Sequence, residues 1–494
     1  MMLGLSGPDL RDEDIAVFRD TRAAGVILYR RNFETPERLA KLLDGLDEAL
    51  GRRLLVATDH EGGRVIMLGA GTTVFPDNLA VGTAGEEAFA HKQGLIEGRE
   101  LRRLGIDLNL GPCIDVLTDR YSPNIGIRSY GKDPQVVARY GAARIAGMQR
   151  AGLSACPKHF PGKGHSPLDA HLKLPTIDST WDDMHATHLP PFFAAIAEGV
   201  DCVMTSHPVY PNLDPARVPA TFSKLIVEDY LRGQVGYRGV IVSDDLEMGA
   251  VSETTTIGDA TVRAAAAGHD LLLVCHTEPA QRAATAALLD AYRSGARPKR
   301  ELEAAAARVR QLREKRAVRR EPGEPAPEVD GAALAKAAAT RAVTFVAPAP
   351  PGLRKALNGR VAAIFPRFSD LAARIFIEPA VRDEARFLRD AFAPVGIPPE
   401  SLIVGIEPTA DEIERAAAAA AAADATVLFL YDAHLYPSNR ALLEAVQKRA
   451  KALAVILLRD PYDAALLAPG VTGITAFGWR ACQIDAVIAR LTLS

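Results

Sequence analysis

The sequence predicts an α/β protein in two parts, a (β/α)8 barrel of the TIM type followed by a smaller α/β sandwich domain. Three observations carry that prediction. Short apolar runs alternate with helical patterns eight times over the first ~300 residues. Polar, titratable residues gather immediately after those runs. A proline-rich stretch at residues 321–328 then separates them from a second series of apolar runs.

In chain order the apolar runs lie at residues 2–5, 25–29, 54–58, 106–110, 153–158, 201–205, 239–243 and 270–275. Continuous apolar character marks strands buried on both faces, as in a parallel sheet. The helical patterns between them cover 12–24, 35–50, 85–104, 134–151, 180–199, 223–236 and 258–268, and one more follows at 278–295. An open doubly wound sheet would want a Gly-rich dinucleotide fingerprint after an early strand, and none is present. A basic helix at 300–320 closes the first domain, 1–320. The linker is 321–331 and the second domain 332–494, with strands expected at 342–346, 360–365, 402–406, 426–430, 454–458 and 473–476. The eight alanines at 416–423 have high helix propensity.

Hydrophobic residues make up 48% of the 494 and charged residues 24%, the balance of an ordinary globular protein. A formal charge of -3 argues against nucleic acid or an anionic membrane as the main partner. No run has the length of a membrane span, and the first residues lack a basic stretch with an apolar core. The five cysteines have no metal-type spacing, and four lie in or beside apolar runs as small buried hydrophobes. The expected compartment is the cytoplasm.

In barrels the chemistry sits at the carboxyl ends of the strands. The segment after the fifth run, Lys158-His159-Phe160-Pro161-Gly162-Lys163-Gly164-His165, continues to Asp169-Ala170-His171. Its prolines and glycines exclude a regular helix or strand. A carboxylate beside an imidazole sets its tautomer and favours its charged form, so His171 next to Asp169 is a candidate proton donor, or else half of a solvated surface pair. Asp244 ends the seventh run and suits a nucleophile, base or metal ligand. Asp245, pointing elsewhere, reads as the N-cap of the next helix. Asp59 ends the third run, with Gly62-Gly63 allowing a sharp turn; its carboxylate suits vicinal hydroxyls. Lys158 and His159 add donors, and Arg128, in a long loop, is a ligand donor or a loop-to-barrel tie. His159, His165, His171, His207 and Asp244 could alternatively ligate a metal, but no HxH pair closes an early strand.

With these motifs in view, the chain resembles glycoside hydrolase family 3, in particular its β-N-acetylglucosaminidase branch, typified by peptidoglycan recycling. The resemblance rests on Lys158-His159-Phe160-Pro161-Gly162, Asp169-Ala170-His171-Leu172, Leu174-Pro175, Ser243-Asp244-Asp245-Leu246-Glu247-Met248, Asp59-His60-Glu61-Gly62-Gly63-Arg64-Val65 and Arg128-Ser129-Tyr130-Gly131. It implies Asp244 as nucleophile, His171 as general acid/base tuned by Asp169, and Asp59, Arg128, Lys158 and His159 as contacts to the terminal sugar. Two departures stand out: Lys163 and His165 where the family has His and Asp, and Met67 where a second arginine is usual.

The resulting expectation is a retaining exo-β-N-acetylglucosaminidase acting on GlcNAc-terminated small glycosides or muropeptides, with no metal or organic cofactor. The alternatives are a β-glucosidase, β-xylosidase or glycoside phosphorylase of the same family, a barrel metallohydrolase, and a non-catalytic sugar sensor. Oligomeric state is not legible.

Overall fold

The computed structural model describes residues 1–118, 122–166, 174–316, 330–350 and 352–493. Contacts divide the chain into two units. One holds Met1–Glu61, Met67–Thr73 and Glu87–Val329; the other holds Gly62–Ile66, Val74–Glu86 and Asp330–Ser494.

The first unit is a parallel barrel. Its strands are β1 (Met2–Gly4), β2 (Gly25–Leu28), β3 (Leu55–Thr58), β4 (Leu108–Asn109), β5 (Ser154–Ala155), β6 (Cys202–Met204), β7 (Val240–Asp245) and β8 (Leu271–Val274). They run in the order β5-β4-β3-β2-β1-β8-β7-β6. The two edges of that row meet just beyond β5 and β6: Phe160 N donates to Met204 O at 2.8 Å and Ser206 N to Phe160 O at 2.9 Å. All eight expected runs supply a strand. The fifth is shorter than its apolar run because Pro157 has no N–H to give the ladder.

Around the strands lie α1 (Asp12–Thr21), α2 (Pro36–Leu50), α3 (Glu87–Arg103), α4 (Pro134–Arg150), α5 (Pro190–Ala197), α6 (Leu225–Gln234, wound as a π-helix), α7 (Ile257–Ala267), α8 (Glu278–Arg293) and α9 (Lys299–Arg316). Local chemistry sets their ends. Thr35 caps α2 by accepting from Arg38 N, Pro36 takes the first helical position, and Gly51 ends the helix in the left-handed region at φ 63°. Inside the barrel, Met2, Ile27, Leu55, Leu108, Val242 and Leu273 pack with Val309 and Leu312 of α9, so this last helix plugs the amino end. Cys113, Cys156, Cys202 and Cys275 are buried, as their neighbours in sequence implied.

The second unit is a six-stranded sheet of β9 (Thr344–Ala347), β10 (Val361–Pro366), β11 (Glu400–Val404), β12 (Ala425–Leu430), β13 (Leu453–Leu457) and β14 (Thr472–Thr475), in the order β11-β10-β12-β13-β14-β9. All neighbours pair in parallel except β9, which runs antiparallel to β14. Helices α10 (Gly331–Ala342), α11 (Glu384–Phe392), α12 (Ala410–Ala422), α13 (Pro437–Arg449) and α14 (Ala481–Leu493) lie between and beside the strands in sequence. The alanine run lies largely in α12, with Ala416, Ala417 and Ala420 buried. Two early segments join this unit through hydrogen bonds: Arg480 Nε donates to Gly63 O at 2.8 Å, and Arg341 Nε to Ala84 O at 3.1 Å. The expected linker lies almost wholly outside the described residues.

Candidate active site

Asp59 and Glu61 follow β3 two residues apart, so an extended backbone sends both carboxylates to the same side. Lys158, buried at the end of β5, meets them both: its Nζ donates to Asp59 Oδ1 and to Glu61 Oε1, the latter at 2.7 Å. Arg128 reaches Glu61 with two parallel bonds, Nη2 to Oε1 at 2.6 Å and Nε to Oε2 at 2.8 Å. Its Nη1 donates to Asn124 O at 2.6 Å, tying down its own loop. Such a bidentate pair holds geometry as well as charge. Burial pushes the Glu61 carboxyl up, but the Arg128 and Lys158 charges outweigh it and hold it well below the usual carboxylate range. Asp59 goes the other way, raised by burial and by the Glu61 charge against the pull of Lys158. Its side chain is 26% exposed against 2% for Lys158 and Glu61, so Asp59 is the acid of this network with solvent access.

A second acid organises the loop after β5. Asp115 Oδ2 lies 2.7 Å from His159 Nδ1 and accepts from His159 N at 3.2 Å, while Oδ1 accepts from Lys163 N at 2.7 Å. Asp115 therefore orients the His159 ring, leaving Nε2 as its other polar atom, and anchors Lys163.

Asp244 is the last but one residue of β7. Its Oδ1 accepts from Asp245 N at 2.9 Å, and its Oδ2 lies 3.9 Å from Lys163 Nζ. Burial raises this carboxyl, but the charges of Lys163, His207 and Lys158 more than offset it and hold Asp244 below its ordinary value. It is thus a carboxylate at neutral pH. His207 sits behind it, with Nε2 2.9 Å from Asp245 O and Nδ1 2.8 Å from Thr221 Oγ1. Asp245 is not the helix N-cap the sequence suggested. The short helix Gly249–Ser252 has Met248 at that position, and Asp245 instead accepts from Glu247 N at 3.1 Å and pairs with His276 Nε2 at 2.9 Å. A carboxylate still inside a strand is too early to reach the first helical N–H groups.

Asp59, Arg128, Lys158, His159 and Asp244 all stand at or beyond the carboxyl ends of the barrel strands, and Asp59, Arg128 and Lys158 share one network. Asp169 and His171 lie outside the described residues. His165 is engaged elsewhere, its Nδ1 2.7 Å from Thr118 Oγ1. Among the described residues, one group brings three ligand-type atoms within 4.8 Å of one another: Cys113, Asp115 and His159. Cys113 Sγ donates to Asp115 Oδ2 at 3.4 Å, so these atoms already satisfy each other. The described members of the alternative metal set, His159, His165, His207 and Asp244, form no such group.

Sequence reasoning passed over Asp115, met Glu61 only as part of a motif, and weighed His207 only as a metal ligand. Glu61 had a signal, the two-residue spacing from Asp59. Asp115 had a weaker one, an acid closing the apolar segment after Pro112. His207 had its place after the sixth run.

Comparisons with known proteins bear on the family and the fold. The glycosyl hydrolase family 3 N-terminal domain matches residues 3–312. A beta-hexosaminidase from Xylella fastidiosa is 37% identical over 286 residues, covering 56% of this chain and 84% of that one. A beta-hexosaminidase from Tolumonas auensis is 36% identical over 293 residues, covering 59% and 85%. Among solved structures, a glycoside hydrolase family 3 beta-N-acetylglucosaminidase from Paenibacillus sp. is similar with a TM-score of 0.92 at 32% identity, covering 99% of this chain and 94% of that one. Native NagZ from Neisseria gonorrhoeae is similar at 0.58 and 32%, covering 69% and 96%.

Proposed function

Because this chain belongs to glycosyl hydrolase family 3 and is a glycoside hydrolase, we propose that it is a retaining exo-β-N-acetylglucosaminidase releasing terminal GlcNAc from small glycosides such as muropeptides. The observation that carries the reading is Asp244: a carboxylate at the end of a buried barrel strand, kept ionised beside Lys163, with the hydroxyl-binding Asp59–Lys158 pair beyond the carboxyl ends of β3 and β5.

In the first step Asp244 bonds to the anomeric carbon as the bond to the aglycone oxygen breaks, and His171, charged beside Asp169, gives that oxygen its proton. In the second, neutral His171 takes a proton from water, whose oxygen replaces Asp244 on the sugar. Lys163 favours this second step, since Asp244 regains its charge as the ester opens. Asp59, Lys158 and His159 hold the sugar, with Arg128 acting through Glu61. No step draws on a metal or an organic cofactor. Among the described residues no helix is long and apolar enough to cross a membrane. Four buried free cysteines suit a reducing compartment, and a cytoplasmic setting belongs to the same proposal.

The test compares nitrophenyl β-glycosides of GlcNAc, glucose and xylose, with and without phosphate, on the wild type, Asp244→Asn and His171→Ala. GlcNAc should be preferred and phosphate without effect. Asp244→Asn should lose roughly a thousandfold or more in turnover. His171→Ala should lose far more on alkyl than on dinitrophenyl glycosides, because only the former need protonation to depart. Asp244→Asn activity within tenfold of wild type, or equal His171→Ala losses on both substrates, would overturn the assignment.

A further inference from the structure

The amino end of the barrel, opposite the strand ends that carry Asp244, holds a separate cavity of about 390 Å³ walled by α8, α9 and the start of β8. That volume is within the range of small-molecule sites. Two helix stripes form its long sides. On α9, Leu302, Ala305, Ala306 and Val309 follow one another at helical spacing, and Arg310 and Arg313 continue the same face. On α8, Leu288, Leu289 and Tyr292 face them. Leu289 and Leu302 are each about 40% exposed, so the apolar stripe is wet.

Positive charge gathers toward the carboxyl end of α9. Arg22 lines the cavity with Arg310 and Arg313, and Arg52 stands close enough that, after burial, the charges of Arg313 and Arg22 lower its pKa. None of these four arginines has an ion pair with a described acid. Asp270, the single carboxylate lining the cavity, is committed to Arg232 and Arg308. From Leu302 to Arg313 the helix rises about 16 Å. An extended chain advances about 1.2 Å per bond, so that length takes roughly thirteen bonds, close to a twelve-carbon chain with its carboxylate.

We propose that this cavity binds a linear amphiphilic anion, an acyl chain of medium length ending in a carboxylate, with the chain along the leucine stripe and the carboxylate among Arg22, Arg310 and Arg313. A neutral hydrocarbon would leave the arginines repelling one another, and a small anion would leave Leu289 and Leu302 in water. The site is independent of the hydrolase reading, because binding is measured directly.

The experiment titrates the full chain with dodecanoate below its micelle concentration, by calorimetry and by thermal melting. Dodecyltrimethylammonium (same tail, opposite head) and butyrate (same head, short tail) are the controls. Saturable one-to-one binding of dodecanoate with a rise in Tm is expected, with neither control binding comparably. Leu302→Glu and Arg310→Glu/Arg313→Glu should each weaken binding at least tenfold while turnover of an aryl glycoside stays at the wild-type level. If a variant fails to fold, Leu289→Gln replaces it. Equal binding of the cationic amphiphile or of butyrate, unchanged affinity in the variants, or association with anionic vesicles alone would each overturn the proposal.

Discussion

Glu61 is the residue on which the proposed sugar-binding network turns. It is 2% exposed and carries the negative charge shared by Arg128 and Lys158. A buried pair broken on one side costs about 3–5 kcal/mol, because the remaining charge loses its partner. Glu61→Gln should therefore lower unfolding free energy by ~3 kcal/mol in urea melts and raise KM for an aryl glycoside. A loss below about 0.5 kcal/mol, the scale of an ordinary surface change, would show that the pair does not hold the network. Lys163 makes a different kind of prediction. Burial raises the Asp244 carboxyl, and Lys163 is the largest of the charges that bring it below its ordinary value. In Lys163→Met the carboxyl should bind its proton more tightly, so the acid limb of the kcat/KM profile should move to higher pH. An acid limb that stays in place would remove Lys163 from the environment of Asp244, the proposed nucleophile.

At the level of elements, the contact between α3 and α4 connects packing to the site. A Cβ built on Gly94 would lie 2.2 Å from Arg144 O, and one on Gly147 would lie 2.2 Å from His91 O. Only glycine lets these helices approach so closely. The approach buries Arg144 against Glu97, with Nη2 to Oε1 at 2.8 Å and Nε to Oε2 at 2.9 Å, and Nη2 also donates to Glu61 O at 2.6 Å. The helix pair thus grips the backbone of the residue that orients Arg128 and Lys158. Gly147→Ala should destabilise by about 1–3 kcal/mol through overpacking. It should raise KM more than it lowers kcat, since Glu61 shifts while Asp244, on β7, does not. A variant that loses stability with KM unchanged would separate the helix contact from the proposed sugar site.

For the barrel as a whole, buried neutral imidazole makes stability depend on pH. His188 is buried with no hydrogen-bond partner on Nδ1 among the described residues, and burial, with the nearby His165 charge, lowers its pKa to about 4. A histidine depressed from 6.5 in the fold binds fewer protons than the unfolded chain between those values. Its neutral burial is therefore free of penalty above about pH 6.5, and stability falls as the pH drops toward 4. At pH 5 the difference amounts to roughly 2 kcal/mol. His269, lowered to about 4 mainly by burial, acts in the same direction. In His188→Leu, the loss of unfolding free energy between pH 7 and pH 5 should shrink by ~2 kcal/mol. An unchanged slope would mean that His188 is already protonated in the fold.

The positions of the eight barrel strands are visible in the residues alone, because a strand buried on both faces must be apolar throughout and that pattern is local. The placing of Asp59, Lys158 and Asp244 follows too, since a polar residue directly after such a run has to stand at a strand end. Closure of the barrel decided the rest. Arg128 meets Glu61 across 67 positions and Asp115 meets His159 across 44. Neither pairing has a period or a spacing that could reveal it. The same holds for residues 62–66 and 74–86, which sit early in the chain yet join the second unit through Arg480 and Arg341. The arginines at the amino end of the barrel, scattered from Arg22 to Arg313, form a cluster only once the strands have closed. Apolar burial is encoded by neighbours in sequence, whereas electrostatic pairing in a barrel is set by which strand ends the closed sheet brings side by side.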